Sequence, residues 1–197
     1  MTNATFSVYL DTGGSDANPG ASADIDALGP PTLKFKNADN STIDSNDKPT
    51  IPGAGSIYSY WKSIYLKCDA NADAHTINNV KIYSDGTNSM DDGGGADSID
   101  VNVGLQFPTK NSGSNAGYEV ANNANEMVAE HGGITTNASI FGYTSGAGLS
   151  VSISEAGNVI NAANETTNYV ILQCEIKSDA SAGATTTETG TWSYDEA

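Results

Sequence analysis

The chain of 197 residues contains no arginine, and its eight lysines face 24 acidic residues, which gives a formal net charge of −16. Arginine is the usual bidentate partner of phosphates and the commonest reader of guanine. A protein that binds nucleic acid neutralises phosphates with a basic surface. We therefore expect no nucleic-acid partner, and the acidic surface also disfavours binding to anionic membranes.

Long hydrophobic runs are missing as well, since no stretch approaches the roughly 20 apolar residues that cross a bilayer. The N-terminus lacks the basic start and apolar run of a secretory signal, so we expect synthesis in a cytoplasm without a signal peptide. The chain has two cysteines, Cys68 and Cys174. Both fall at inward-facing positions of predicted strands, where two free buried thiols are favoured over one disulfide.

The residues that are abundant favour β-structure, because Asp, Asn, Ser and Gly stabilise turns and disfavour helix interiors. Alternation of apolar and polar residues, which is typical of half-buried antiparallel strands, recurs along the chain. It is clearest at residues 6–10, 33–36, 56–68, 80–82, 99–105, 149–154, 170–176 and 192–194. We predict an all-β fold: one domain over residues 1–197, a two-sheet antiparallel sandwich of jelly-roll type with long loops.

One short helix is predicted near residue 123. Asn123 can cap it, and Glu126 three residues later completes a pair of the capping-box type. Met127 and His131 then share one face, together with Ala124 and Val128, and two glycines at 132–133 end the helix. Such a short helix has to be held by packing on the sheets.

The connections at residues 11–31, 37–55 and 84–98 are unusually long, polar and rich in glycine. Loops beyond about 12–15 residues are usually functional or disordered. We expect these loops to be ordered, with neighbouring subunits as the simplest cause.

Acidic loops make calcium the first ligand to consider, because Ca²⁺ takes six to eight oxygen ligands from Asp, Asn and carbonyl groups. None of the loops matches an EF-hand. Two sets of residues are the best candidates for a calcium site: Asp69, Asn71 and Asp73, or Asp91, Asp92 and Asp97. The alternative is that these are solvated loops of an acidic protein without a cofactor.

No catalytic signature is present. Paired carboxylates can hydrolyse a glycoside, and Glu119, Glu126 and Glu155 are the least random choices. Among 24 acids, however, some pair meets the distance requirement by chance. His75 lies in a polar turn and His131 at the predicted helix end, where half-buried packing is expected. We therefore predict that the protein is not an enzyme.

Two aromatic residues of the longest predicted strand, Trp61 and Tyr65, fall side by side on its polar face. Exposed aromatics on a flat β-face can stack against sugars, but they are also enriched in the cores of protein interfaces. We favour the interface, with the face covered by a neighbouring subunit. Trp192 and Tyr194 in the last strand are candidates for the same two roles.

Several strings resemble a group of structural proteins, mostly uncharacterised, of tailed bacteriophages. They are GPPTLKFKNADN at 29–40, WKSIYLKC at 61–68, FPTKNSG at 107–113, LSVSISE at 149–155 and the end of the chain at 189–197. The resemblance implies a virion protein that decorates or cements a capsid, or a part of a tail or fibre. It implies a homo-oligomer, with a trimer favoured, and the major capsid protein or other virion proteins as partners.

Terminal strands with unpaired edges could serve such an assembly, by exchange between subunits or by pairing with a capsid strand. Residues 5–10 and 191–195 are the two candidates. The alternative function is a carbohydrate-binding or adhesive module of a tail or fibre, which would use Trp61, Tyr65 and the acidic loops.

Overall fold

The structure, a computed structural model, describes residues 2–28, 32–90, 98–104, 109–134, 137–183 and 185–197. In this part of the chain it contains ten strands, one α-helix and three short 3-10 helices. The strands are β1 (Thr5–Thr12), β2 (Ala21–Asp24), β3 (Ser56–Tyr58), β4 (Lys62–Ala70), β5 (Ile77–Tyr83), β6 (Ile99–Gly104), β7 (Asn137–Ser139), β8 (Leu149–Ser150), β9 (Val170–Lys177) and β10 (Thr191–Glu196). The helices are α1 (Met127–Glu130), η1 (Asp26–Leu28), η2 (Ile140–Gly142) and η3 (Ala156–Asn158).

The strands form two antiparallel sheets, which confirms the predicted all-β class. The larger sheet has seven strands in the order β2-β1-β4-β9-β6-β7, with β3 also paired to β9. The smaller sheet has three strands in the order β10-β5-β8. No helix among the described residues is long and apolar enough to cross a membrane.

The main hydrophobic core lies between the sheets. Leu10, Leu66 and Val103 of the larger sheet belong to one buried cluster with Val80 and Ile82 of the smaller sheet. These residues come from the alternating strings, so period-2 patterning placed them on inward faces as predicted. Full burial of each such side chain stabilises the fold by about 1.5–3 kcal/mol.

A second cluster covers the opposite face of the larger sheet. Trp61, Tyr65 and Ile171 of the sheet region pack there against Tyr118 and Met127. The chain between residues 109 and 134 therefore forms a third layer over this face. For this reason β4 is buried on both sides by its own chain, where a neighbouring subunit was predicted to cover the second face.

The helix is shorter than predicted. α1 begins at Met127, its N-cap is Glu126, and no side chain caps it, so the predicted capping box from Asn123 is wrong. Asn122 Oδ1 instead accepts a bond from the Ala124 amide 3.1 Å away, which forms a local turn before the helix. This is the expected competition between asparagine side chains and helical backbone bonds.

Three further local predictions are corrected or confirmed. Residues 33–36 alternate as a strand would, yet they form none; Leu33 and Phe35 pack on the main core without ladder partners. β1 pairs with β4 and with β2, so it offers no free edge for exchange at residues 9–12. Cys68 and Cys174 are free and buried, as predicted.

Candidate functional site

The aromatic pair of Trp61, just before β4, and Tyr65, on β4, is not a surface feature. Trp61 is 1% and Tyr65 4% exposed, because the 109–134 segment of the same chain covers them. The prediction that a neighbouring subunit or a sugar meets these two residues is therefore wrong. Strand alternation showed correctly that both share a face, but it could not show that a distant segment folds over it.

His131 lies beside Trp61 in this layer, with their ring centroids 5.6 Å apart. It is 1% exposed, more deeply buried than predicted. Burial lowers its pKa, although Glu119 at 3.4 Å from Nδ1 acts in the opposite direction. The Gly133 amide donates to Nδ1, so in the neutral imidazole the proton sits on Nε2,. Within the described residues, His131 Nε2 and Trp61 Nε1 have no hydrogen-bond partner.

A buried carboxylate, Asp11 of β1, organises the end of the same layer. Its side chain is fully buried. The hydroxyls of Ser22 and Tyr169 donate to its two oxygens, and the Tyr65 hydroxyl lies 3.4 Å from Oδ1. Burial first, and contact with Asp11 second, raise the pKa of Tyr65 and Tyr169. Both phenols therefore stay protonated and act as hydrogen-bond donors.

Lys110 supplies the positive charge of this cluster. Its Nζ lies 3.7 Å from Asp11 Oδ2 and 2.5 Å from Asn115 Oδ1. The Tyr65 and Tyr169 rings face the same nitrogen, with centroids 4.6 and 5.7 Å away. Burial lowers the pKa of Lys110, and the charge of Asp11 opposes the shift. We call these five residues the Asp11 cluster: Asp11, Tyr65, Lys110, Asn115 and Tyr169.

The Asp11 cluster adjoins an open cleft of about 520 Å³. Residues 110–116 form one wall, and Ala17 and Asn18 form the other. The cluster is therefore closed by aromatic rings on one side and reached by solvent at Lys110 and Asn115. A lysine whose pKa is lowered by burial and that lies beside a cleft is a candidate functional group,.

Two more buried lysines hold the acidic loop at residues 37–47. Lys36 Nζ lies 2.7 Å from Asp44 Oδ1 and 3.4 Å from Asn40 Oδ1, and its hydrogen bond lowers the pKa of Asp44. Lys62, 0% exposed, donates to the carbonyls of Ala38 and Asn40 at 3.3 and 3.0 Å. Ammonium groups thus occupy the centre of this loop. Lysines of the same chain therefore hold this loop, a role that the sequence analysis assigns to neighbouring subunits.

Asp39 completes this loop and links it to the Asp11 region. Its Oδ2 accepts a bond of 2.6 Å from the Gly13 amide, two residues after Asp11. Burial raises the pKa of Asp39, while the Gly13 amide and the charge of Lys62 oppose the shift. Burial also lowers the pKa of Lys62 to about 8.

The first calcium candidates have separate partners. Asp69 accepts from Ser7 Oγ at 2.6 Å, Asn71 exchanges two bonds with the His75 backbone, and Asp73 accepts from the Thr2 amide. Among the described residues, no group of three or more His, Cys, Asp and Glu side chains is placed to hold a metal ion. The second set, Asp91, Asp92 and Asp97, lies outside the described residues.

The three glutamates considered for hydrolysis serve different local contacts. Glu119 accepts from the Gly132 amide at 3.0 Å, Glu126 from the Tyr58 hydroxyl at 3.2 Å, and Glu155 from the Ser112 amide at 2.6 Å. Each glutamate therefore has a structural role, since its hydrogen bond connects two segments of the chain. None of these contacts pairs two carboxylates.

Trp192 and Tyr194 lie on β10 and are half-buried. Both pack against the main core, and the Tyr194 ring is tilted against Phe6 with centroids 4.7 Å apart. They therefore anchor the strand and leave only part of each ring accessible.

No sequence pattern points to Asp11, Lys36 or Lys110 as buried charged residues. Lys36 occupies a polar position of its alternating string, where a solvated lysine is normal, whereas Lys62 lies in step with the apolar positions of its string, which is a signal of burial,. Their carboxylate and carbonyl partners are remote or irregular in sequence, so no spacing rule identifies them. No family model, curated protein or solved structure matches this chain, so its function has to be inferred from these residues.

Proposed function

We propose that the chain is a structural protein of a virion, a capsid decoration or cement protein that acts through contacts with its own copies and with the shell. The strings that resemble phage structural proteins support this proposal. A net charge of −16 without arginine supports it too, because a shell protein on the outside of a particle gains from low affinity for nucleic acid,.

The observation that carries the proposal is the position of β10. β10 is the longest edge strand among the described strands, with six residues, and it pairs with β5 alone in the sheet order. An edge strand presents unpaired N–H and C=O groups to a second chain. Trp192 and Tyr194 fix its inner side to the core, so the free edge is presented in one orientation.

The first part of β10 carries no charged side chain and is therefore suitable for pairing with a second strand. Residues 191–194 are uncharged. The two acids that follow are occupied within the chain, because Asp195 accepts from Asn79 at 2.9 Å and Glu196 from the Ala4 amide at 2.7 Å. A neighbour's strand can thus approach residues 191–194 without meeting a free carboxylate. Pairing of this edge with a different edge of the next subunit is heterologous, the type of contact that closes a ring in a trimer.

Hydrogen exchange tests the proposal. In a free chain, alternate amides of residues 191–194 point away from β5 and exchange quickly. In oligomers or on assembled particles we expect these amides to become protected, while amides of the exposed loop at 181–183 serve as an unchanged control. Equal exchange at β10 in the free and the assembled protein would contradict this docking edge. The adhesive alternative loses two of its four candidate stacking residues, since Trp61 and Tyr65 are buried.

A further inference from the structure

The Asp11 cluster contains a nucleophile, an electrophile and an acid–base pair in contact. The amine is Lys110 Nζ, and 2.5 Å from it lies the side-chain carbonyl oxygen of Asn115. Carboxamides are poor electrophiles in water. They react with an amine only when the amine is neutral, the carbonyl is polarised and the two groups are held together.

We propose that Lys110 and Asn115 form an intramolecular isopeptide bond, promoted by Asp11 and Tyr169. The proposal concerns the chain itself and holds whichever particle or surface the protein serves. The geometry points to it, because the groups required for the reaction meet at one place.

The first requirement is a neutral amine. Asp11 Oδ2 lies 3.7 Å from Lys110 Nζ and can accept a proton from the ammonium group. Aromatic rings of Tyr65 and Tyr169 flank the nitrogen and exclude water from that side, which weakens the solvation of the charged form. Burial lowers the pKa of Lys110 accordingly, which increases the neutral fraction,.

The second requirement is a polarised carbonyl. The Tyr169 hydroxyl touches Asp11 Oδ2 and lies 3.5 Å from Asn115 Oδ1, so it connects the two side chains. Once Asp11 is protonated, it can donate to the tyrosine oxygen while the tyrosine O–H turns to Asn115 Oδ1. That bond stabilises the negative charge that develops on this oxygen during attack.

The third requirement is fixed position. The Lys110 amide donates to Asn168 Oδ1 at 2.9 Å, and the Asn115 carbonyl accepts from the Tyr118 amide at 2.8 Å. Between them, Asn111 and Ser114 exchange backbone bonds of 3.1 and 3.2 Å. The two reacting side chains therefore start from backbone positions that are held at both ends of a short hairpin.

The reaction balances without any added reagent. The proton of the Lys110 ammonium passes to Asp11, the neutral nitrogen attacks Asn115 Cγ, and a C–N bond forms. As the tetrahedral centre collapses, the bond from Cγ to the amide nitrogen breaks. A proton from Nζ goes to the leaving nitrogen, and ammonia leaves with the proton held by Asp11, as ammonium. The open cleft at Lys110 and Asn115 provides its exit.

Intact-mass spectrometry of the purified full chain under denaturing conditions tests the bond. Loss of one ammonia predicts a mass about 17 Da below that of the sequence, and trypsin no longer cleaves after Lys110. Lys110→Arg and Asn115→Ala should both show their full sequence masses. Lys67→Arg is the matched control, because Lys67 also lies over a tyrosine ring, 4.9 Å from the centroid of Tyr9. This variant should still show the mass loss of about 17 Da.

Asp11→Asn tests the proton acceptor. Removal of a general base slows such a step by about 10²-fold or more, so the folded variant should accumulate the bond only slowly. Should this variant fail to fold, the Lys110→Arg result still decides the proposal.

Three outcomes would contradict the proposed bond between Lys110 and Asn115. The first is a folded wild-type chain that keeps its full sequence mass after prolonged incubation. The second is a 17-Da loss that persists in Lys110→Arg, which would indicate a backbone succinimide at an asparagine. The third is a loss of about 18 Da, which would mean condensation with a carboxylate such as Asp11 and not with Asn115.

Discussion

Replacement of Lys62 by methionine should change how stability depends on pH. Lys62 is 0% exposed, and burial lowers its pKa from 10.5 to about 8. Between these two values the unfolded chain binds a proton at this site and the native chain does not. Stability therefore rises with pH across this window in the wild type. Between pH 7 and pH 10 this one group raises the free energy of unfolding by about 2.5 kcal/mol,.

Urea unfolding of wild type and Lys62→Met at pH 7, 8, 9 and 10 measures this gain. The difference between the two proteins removes the contribution of the tyrosines, which both share. We expect the free energy of unfolding of the wild type to rise by about 2.5 kcal/mol relative to that of the variant over this range. Lys48→Met is the control, since Lys48 is exposed on the same loop and should show no such trend. A difference that stays flat from pH 7 to pH 10 would refute the burial of a lysine beneath the loop.

Three other changes probe the second layer and the core. Trp192→Phe leaves Trp61 as the single tryptophan. Its fluorescence should be blue-shifted and resistant to iodide quenching, because Trp61 is 1% exposed. Red-shifted emission that iodide quenches would contradict the third layer. Asp11→Ala removes the acceptor of the Tyr169 and Ser22 hydroxyls and should lower the free energy of unfolding by about 2–4 kcal/mol, measured in urea,. A loss below about 0.5 kcal/mol would mean that the carboxylate is not buried. Burial raises the pKa of Cys174 to about 12, so this thiol should react with a maleimide only after unfolding, and fast labelling of the native protein at neutral pH would count against the packing of β9,.

The strands were predictable where one face is apolar and the other polar. The alternation around Val101 and Val103 in β6, and around Leu172 and Cys174 in β9, gave both the strand and its inward face. Such patterns arise because successive side chains point to opposite sides of a sheet. Residues 33–36 show the limit: the same pattern is present, but no neighbouring strand pairs with it.

The layer over Trp61 and the Asp11 cluster could not be predicted in this way. Asp11 and Lys110 lie 99 positions apart, and Asp11 and Tyr169 lie 158 apart, in segments that alternation treats independently. A polar side chain in a strand normally marks a wet face. Here the buried polar groups of the Asp11 cluster have partners supplied by tertiary folding, and the pattern of the strand alone carries no information about those partners,.

We propose that this chain serves assembly and that its charged groups act within its own fold. Light scattering coupled to size exclusion, over a range of protein concentrations, tests the first part most directly. We predict the mass of a homotrimer, three chains of 20.3 kDa each, with protection at β10. A chain that remains a 20.3-kDa monomer at every concentration, and that binds no particle, would contradict it.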